Sequence, residues 1–165
     1  SHKYFICYVM LCDTSFKVYF RGKLLYHIKS KLTTLDKNAN VGEKIRFYRH
    51  KRNMSCNILA EKIGMSRYAI MDYEAGTTEP LLEDLQKIAY ALGIKSDKLY
   101  DEYYTFMAYP YSVRIKELRK ERNLLQRELG ALLEVTRRTV ERWEHGHNKV
   151  TRDMWIRMKE LDLLQ

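Results

Sequence analysis

Apolar residues follow two different rhythms along this chain. Up to about residue 36 they alternate with polar ones. Phe16, Val18 and Phe20 interleave with Lys17, Tyr19 and Arg21, and Gly22 allows a turn toward Leu24, Tyr26 and Ile28. That is the period of a strand, yet Phe16, Phe20, Leu24, Ile28 and Leu32 also recur at helical spacing. Both templates fit, and the β-branched and aromatic content tilts the reading toward a β-hairpin. Asp36 to Asn40 is polar and reads as a linker.

From residue 41 the apolar positions recur at helical spacing throughout. Glu43 to Lys51 predicts a helix with Ile45, Tyr48 and Arg49 on one side. Ser55 is a good N-cap for a second helix bearing Ile58, Leu59 and Ile63, which Gly64 closes in a left-handed turn. Ser66 caps a third helix over Arg67 to Glu74. Pro80 opens a fourth, where its missing N–H costs nothing, and Gly93 ends it. Ser96 is placed to cap a fifth, from Asp97 to about Phe106. The plan then restarts: a helix capped by Ser112, one over Gln126 to Leu133, one over Arg137 to Glu144 capped by Thr136, and one capped by Thr151 that carries Met154, Met158 and Leu161.

The restart is a repeat in register. An offset of 70 residues maps Ile45 onto Ile115, Arg49 onto Arg119, Asn53 onto Asn123, Leu59 onto Leu129 and Ile70 onto Val140. It also maps Tyr73-Glu74-Ala75-Gly76 onto Trp143-Glu144-His145-Gly146. The fold class is therefore mainly all-α: two tandem helical bundles, residues 41–109 and 110–165, behind an aromatic and basic N-terminal extension at 1–40. The second copy stops before a fifth helix.

Charge separates the copies. The chain of 165 residues has a net charge of +9, which fits a polyanionic partner. Residues 1–40 hold seven Lys/Arg against two Asp/Glu; residues 41–108 hold ten of each; residues 112–165 hold thirteen against nine. The first copy has no electrostatic excess for phosphates, and the second has. Three cysteines, Cys7, Cys12 and Cys56, do not make a secreted disulfide framework, so a reducing cytoplasm is expected. The apolar run from Tyr4 to Cys12 is too short to span a bilayer, and no membrane association is expected. Ser1-His2 reads as a remnant of tag removal.

These residues resemble the phage repressor and Cro family of helix-turn-helix proteins, the xenobiotic-response-element type. The first copy shows Ser55-x-x-x-Leu59-Ala60-x-x-x-Gly64-x-Ser66-x-x-x-Ile70-x-x-Tyr73-Glu74-x-Gly76. The second shows Gln126-x-x-Leu129-Gly130, then Val135-Thr136-x-x-Thr139-Val140-x-x-Trp143-Glu144-x-Gly146. The resemblance spans residues 41–165. It implies that Arg49 pairs with Glu74 and Arg119 with Glu144, since each Arg lies on the apolar side of its helix and a buried charge is tolerated only when paired.

The resemblance also assigns DNA contacts to the first turn of each second helix and the outer face of each third. In the second copy those places hold Gln126 and then Arg137, Arg138, Thr139, Glu141 and Arg142, while Val140 and Trp143 turn inward. Arg138, Glu141 and Arg142 suit base edges, because Arg donates twice to guanine and Glu accepts from cytosine. Arg137 and Gln126 suit phosphate or mixed contacts. The plain alternative, a solvated surface, explains the Arg138/Arg142 pair poorly, because like charges at that spacing repel. In the first copy the equivalent face is Arg67, Tyr68, Ala69, Met71 and Asp72, and Cys56 replaces the Gln. Its DNA contacts are expected to be weaker and to come from Arg67, Tyr68 and Met71.

Leu125 and Glu134 depart from the pattern. They stand where a cap and a turn glycine belong, with Asn123 a candidate substitute cap. His145 and His147 flank Gly146 without companion ligands at metal spacing, so no metal is expected. No phosphate loop or activated nucleophile is visible, so neither a cofactor nor an enzyme is expected. The expected function is a sequence-specific transcriptional regulator of double-stranded DNA, a repressor of phage, mobile-element or antitoxin type that reads the major groove mainly through the second domain. A homodimer would read an inverted repeat. The alternative is a protein-interaction module, an antitoxin or inhibitor, that engages a protein partner through the neutral first domain and the N-terminal segment.

Overall fold

The computed structural model describes the backbone of residues 7–12, 15–20, 23–29 and 34–164, and the side chains of residues 34–164. The side chains of Cys7 and Cys12, and all of Ser1 and His2, lie outside the described residues. The described chain is mainly helical. It falls into two compact units, residues 1–79 and 80–165.

In the first unit the N-terminal backbone runs as β1 (Cys7–Cys12), β2 (Ser15–Phe20) and β3 (Lys23–Lys29). They form an antiparallel sheet in chain order, with Val9 opposite Val18 and Phe16 opposite Ile28. Three helices follow: α1 (Val41–Lys51), α2 (Cys56–Ile63) and α3 (Arg67–Ala75). Asn40, inside the polar linker, caps α1 through a capping box with Glu43, its Oδ1 accepting from the Glu43 N–H at 2.9 Å. Ser55 and Ser66 cap α2 and α3. Ile45, Leu59 and Ile70 are fully buried, and α3 packs against both α1 and α2. Gly42 makes that approach feasible: a Cβ there would stand 2.3 Å from the Tyr73 carbonyl oxygen.

The second unit holds α4 (Leu82–Leu92), α5 (Glu102–Ala108), α6 (Tyr111–Glu121), α7 (Gln126–Leu132), α8 (Arg137–Glu144) and α9 (Arg152–Glu160). The single helix expected from Asp97 to Phe106 is broken. Ser96–Lys98 is a 3-10 turn, and α5 restarts at Glu102 because the Asp101 carboxylate accepts from the Tyr104 N–H at 2.9 Å and sets a new N-cap.

The core of this unit gathers Phe106 and Met107 of α5 with Ile115, Leu118, Leu129, Leu133, Val140, Trp143 and Met158. The last helix of the first repeat thus supplies core residues to the second. Tyr103 adds to the same join, donating from its hydroxyl to the Val150 carbonyl at 2.9 Å.

The two irregular positions resolve differently from each other. Asn123 does not cap α7. It takes a left-handed turn at φ 53°, as Asn53 does at the matching place in the first repeat. Glu128 instead reaches back, accepting from the Leu125 N–H at 2.7 Å. Glu134 adopts φ 56° where Gly64 has 68°, and its carboxylate meets Arg157 at 2.5 Å. A left-handed conformation costs a non-glycine residue about 1–2 kcal/mol, and an exposed ion pair returns at most about 1 kcal/mol. Glu134→Gly is therefore expected to stabilise this unit by roughly 0.5–1 kcal/mol, read as a higher urea midpoint. A lower midpoint would mean that the ion pair dominates.

Candidate nucleic-acid interface

The interface begins with how α8 is held. Thr136 caps it, its Oγ1 accepting from the Thr139 N–H at 3.2 Å. Val140 is fully buried and Trp143 nearly so, which anchors one side of the helix and turns the other outward. At its C-terminal end Glu144 is gripped from α6. Arg119 donates from Nε and Nη2 to the two carboxylate oxygens at 2.5 and 3.1 Å, and from Nη1 to the Leu124 carbonyl at 2.9 Å. The first repeat has the same clasp. Arg49 meets Glu74 at 2.6 and 2.7 Å and the Met54 carbonyl at 2.8 Å. In both, one guanidinium joins the first helix, the turn after it and the end of the third helix.

Gln126 distinguishes the copies. Its amide nitrogen donates to Glu144 at 3.0 Å, whereas Cys56 at the matching position is a free thiol. The residue expected at a phosphate is thus committed to the clasp. Burial disfavours a charged Glu144, but the hydrogen bonds from Arg119 and then Gln126 outweigh it and hold the carboxyl below its ordinary range. The Glu144 hydrogen bond raises the Arg119 guanidinium against the opposing effect of burial. A carboxylate with a depressed folded pKa stabilises the fold fully above the unfolded value and loses that contribution as pH falls through the folded value. The second unit is expected to lose stability on acidification through the lower carboxylate range. Gln126→Ala should shift that loss to higher pH and cost about 1 kcal/mol at neutrality, measured by denaturation at several pH values.

The outer face of α8 presents Arg137, Arg138 and Arg142 to solvent, with Thr139 and Glu141 half-buried. Thr139 is drawn into the cap, its hydroxyl 2.9 Å from that of Thr136. The three arginines and Glu141 line an open groove that continues past the helix end to His145 and His147. The loop beyond is tied to α6 by Tyr111, whose hydroxyl donates toward the Gly146 and Asn148 carbonyls at 3.4 and 3.1 Å. In the first repeat the matching face is different in kind. Tyr68 is 70% and Met71 41% exposed, and Arg67 is drawn onto them, its Nε 3.4 Å from the Met71 sulfur and its guanidinium 5.7 Å from the Tyr68 ring centroid. Asp72 is also exposed.

A short helix capped at one end, clasped at the other, and presenting one cationic face is the arrangement by which a bundle enters a DNA groove. Two family profiles match in tandem: one described as a helix-turn-helix domain over residues 42–105, the other as helix-turn-helix over residues 115–160. A protein of Methanocaldococcus jannaschii, named an uncharacterized HTH-type transcriptional regulator, is 35% identical over 57 residues, which are 34% of this chain and 86% of that protein. The chain belongs to the helix-turn-helix family. As a member it is a DNA-binding regulator, of a class that is typically non-enzymatic. No solved structure matches it.

Several helix-turn-helix features escaped the sequence reading. Glu128 sits three residues after Leu125, the spacing of a back-bonding glutamate, and that signal was present. The Gln126 bond to Glu144 and the Tyr111 tie had no local signal. Among the described residues no helix is long and apolar enough to cross a membrane, and no group of three or more His, Cys, Asp or Glu is placed to hold a metal ion.

Proposed function

We propose that this helix-turn-helix protein is a sequence-specific repressor of phage, mobile-element or antitoxin type that reads the major groove of double-stranded DNA mainly through α8, working in the cytoplasm. The observation that carries the reading is the asymmetry between the two third helices: α8 exposes three arginines, whereas α3 exposes an acid and two apolar side chains over which its one arginine is folded. Residues 41–109 and 110–165 act as two functional modules, with 1–40 as an extension. In a homodimer the α8 helices would address an inverted repeat.

The test is fluorescence anisotropy with a labelled duplex from the DNA upstream of the coding sequence and a scrambled duplex of the same composition, over a range of salt. The upstream duplex is expected to bind more tightly. Arg67→Ala, Tyr68→Ala and Met71→Ala are expected to leave the preference largely intact, because base edges are read by α8. Equal binding of both duplexes with a steep salt slope would reduce the interface to phosphate contact and overturn sequence-specific readout.

A second reading rests on the exposed Tyr68 and Met71. The α3 face docks a protein partner, in which case its substitution abolishes that complex and spares DNA.

A further inference from the structure

The third helices of the two repeats differ in what a copy of themselves would meet. Ile70 and Tyr73 bury one side of α3. The other side holds Arg67, Tyr68, Met71, Asp72 and Ala75, all exposed. Tyr68, Met71 and Ala75 follow one another at steps of three and four, the a, d, a spacing by which two helices meet along an apolar seam. Arg67 stands just before the seam at g, and Asp72 just after its d position at e. We propose that α3 pairs in parallel with α3 of a second copy of this chain. The inference builds on α8 as the reading helix, which leaves α3 without DNA.

Charge complementarity selects both the occupant and its direction. In a parallel pair the g residue of one helix faces the e residue of the other, five positions on. Arg67 of each copy then faces Asp72 of the second copy, and two-fold symmetry makes the contact twice. An antiparallel pair would set Arg67 against Arg67 and Asp72 against Asp72. Asp72 has no ion pair among the described residues. Within one copy Arg67 is folded over Tyr68 and Met71. In the pair its guanidinium turns to the second copy's carboxylate and uncovers the seam.

The other repeat serves as an internal control. The matching positions of α8 hold Arg137, Arg138, Glu141 and Arg142. A parallel pair there would oppose Arg137 with Arg142 and Arg138 with itself, and like charges repel. Of the two presented helices, α3 alone is suited to meet its own copy. Contact through one nine-residue helix falls short of the roughly 1,200–2,000 Å² of a stable interface. The dimer is therefore weak in free solution, and it gains strength from DNA that holds two α8 helices at once.

The test is sedimentation equilibrium of the full chain without DNA, from about 1 µM to about 1 mM. The wild type is expected to pass from monomer to dimer within that range. Asp72→Arg and Arg67→Asp each set only like charges against one another, and each is expected to weaken the dimer about tenfold or more with an unchanged urea midpoint. An equimolar mixture of the two variants brings opposite charges back to both contacts and should recover the wild-type dissociation constant. A wild type that stays monomeric throughout overturns the pairing and leaves the face to a different protein. A dimer that neither reversal weakens, or a mixture that does not recover, overturns the assigned register. Arg138→Ala/Arg142→Ala should dimerise as the wild type does. If that variant keeps its DNA preference, the reading of α8 falls while the α3 dimer stands as measured.

Discussion

Arg138→Ala/Arg142→Ala is expected to lower affinity for the preferred duplex by a hundredfold or more while leaving the fold unchanged. A good bidentate Arg–guanine contact is worth about 1–3 kcal/mol of discrimination, so two together account for that range. Stability should stay level or rise slightly, because cations one helical turn apart repel by a few tenths of a kcal/mol. Neither residue belongs to the buried cluster that holds α8. The two effects are therefore separable: unaltered unfolding curves beside a lost preference place the function in the exposed cations. A variant that keeps its preference would move the reading surface elsewhere in the chain.

The second large effect lies away from that surface. Phe106→Ala is expected to destabilise the second unit by about 3–5 kcal/mol, the range for truncating a buried aromatic. Phe106 is 3% exposed and sits in the cluster with Ile115, Leu118 and Trp143, although the repeat assigns it to the first copy. A loss of that size is a large fraction of the stability of an ordinary domain. The measurement is convenient, because both tryptophans, Trp143 and Trp155, lie in residues 80–165. Their emission during urea unfolding reports this unit alone. A midpoint that does not move would mean that α5 only decorates the α6–α9 core.

Local signals carried much of this architecture. Helical periodicity, the caps Ser55, Ser66, Thr136 and Thr151, and the 70-residue offset give most of the helices nearly to their ends, whereas Ser112, expected to cap α6, lies inside it, one residue past its start at Tyr111. Arg49 and Arg119 stand out in the sequence as cations on apolar helix faces, and the structure has each of them clasping a glutamate 25 positions on. The rest depends on competition or on distance. Ser96 reads as the cap of one long helix, yet the structure leaves it in a 3-10 turn and caps α5 with Asp101. Gln126 reads in the sequence as a DNA contact, and its bond to Glu144 depends on a residue 18 positions away that only the fold brings near. The placement of Phe106 and Met107 in the second core comes from packing, which leaves no mark in the periodicity of α5.

The clasp also bears on how fast and at what entropic cost this protein can engage a partner. One guanidinium ties the first helix, the following turn and the end of the presented helix in both repeats, so α8 is ordered before any encounter. A binder of this kind has little conformational freedom left to surrender. Its association should show only the modest heat-capacity change of surface burial, without the large one that accompanies folding on contact. Its encounter rate should be set by diffusion and by the field of the arginine face, and so should fall steeply with added salt.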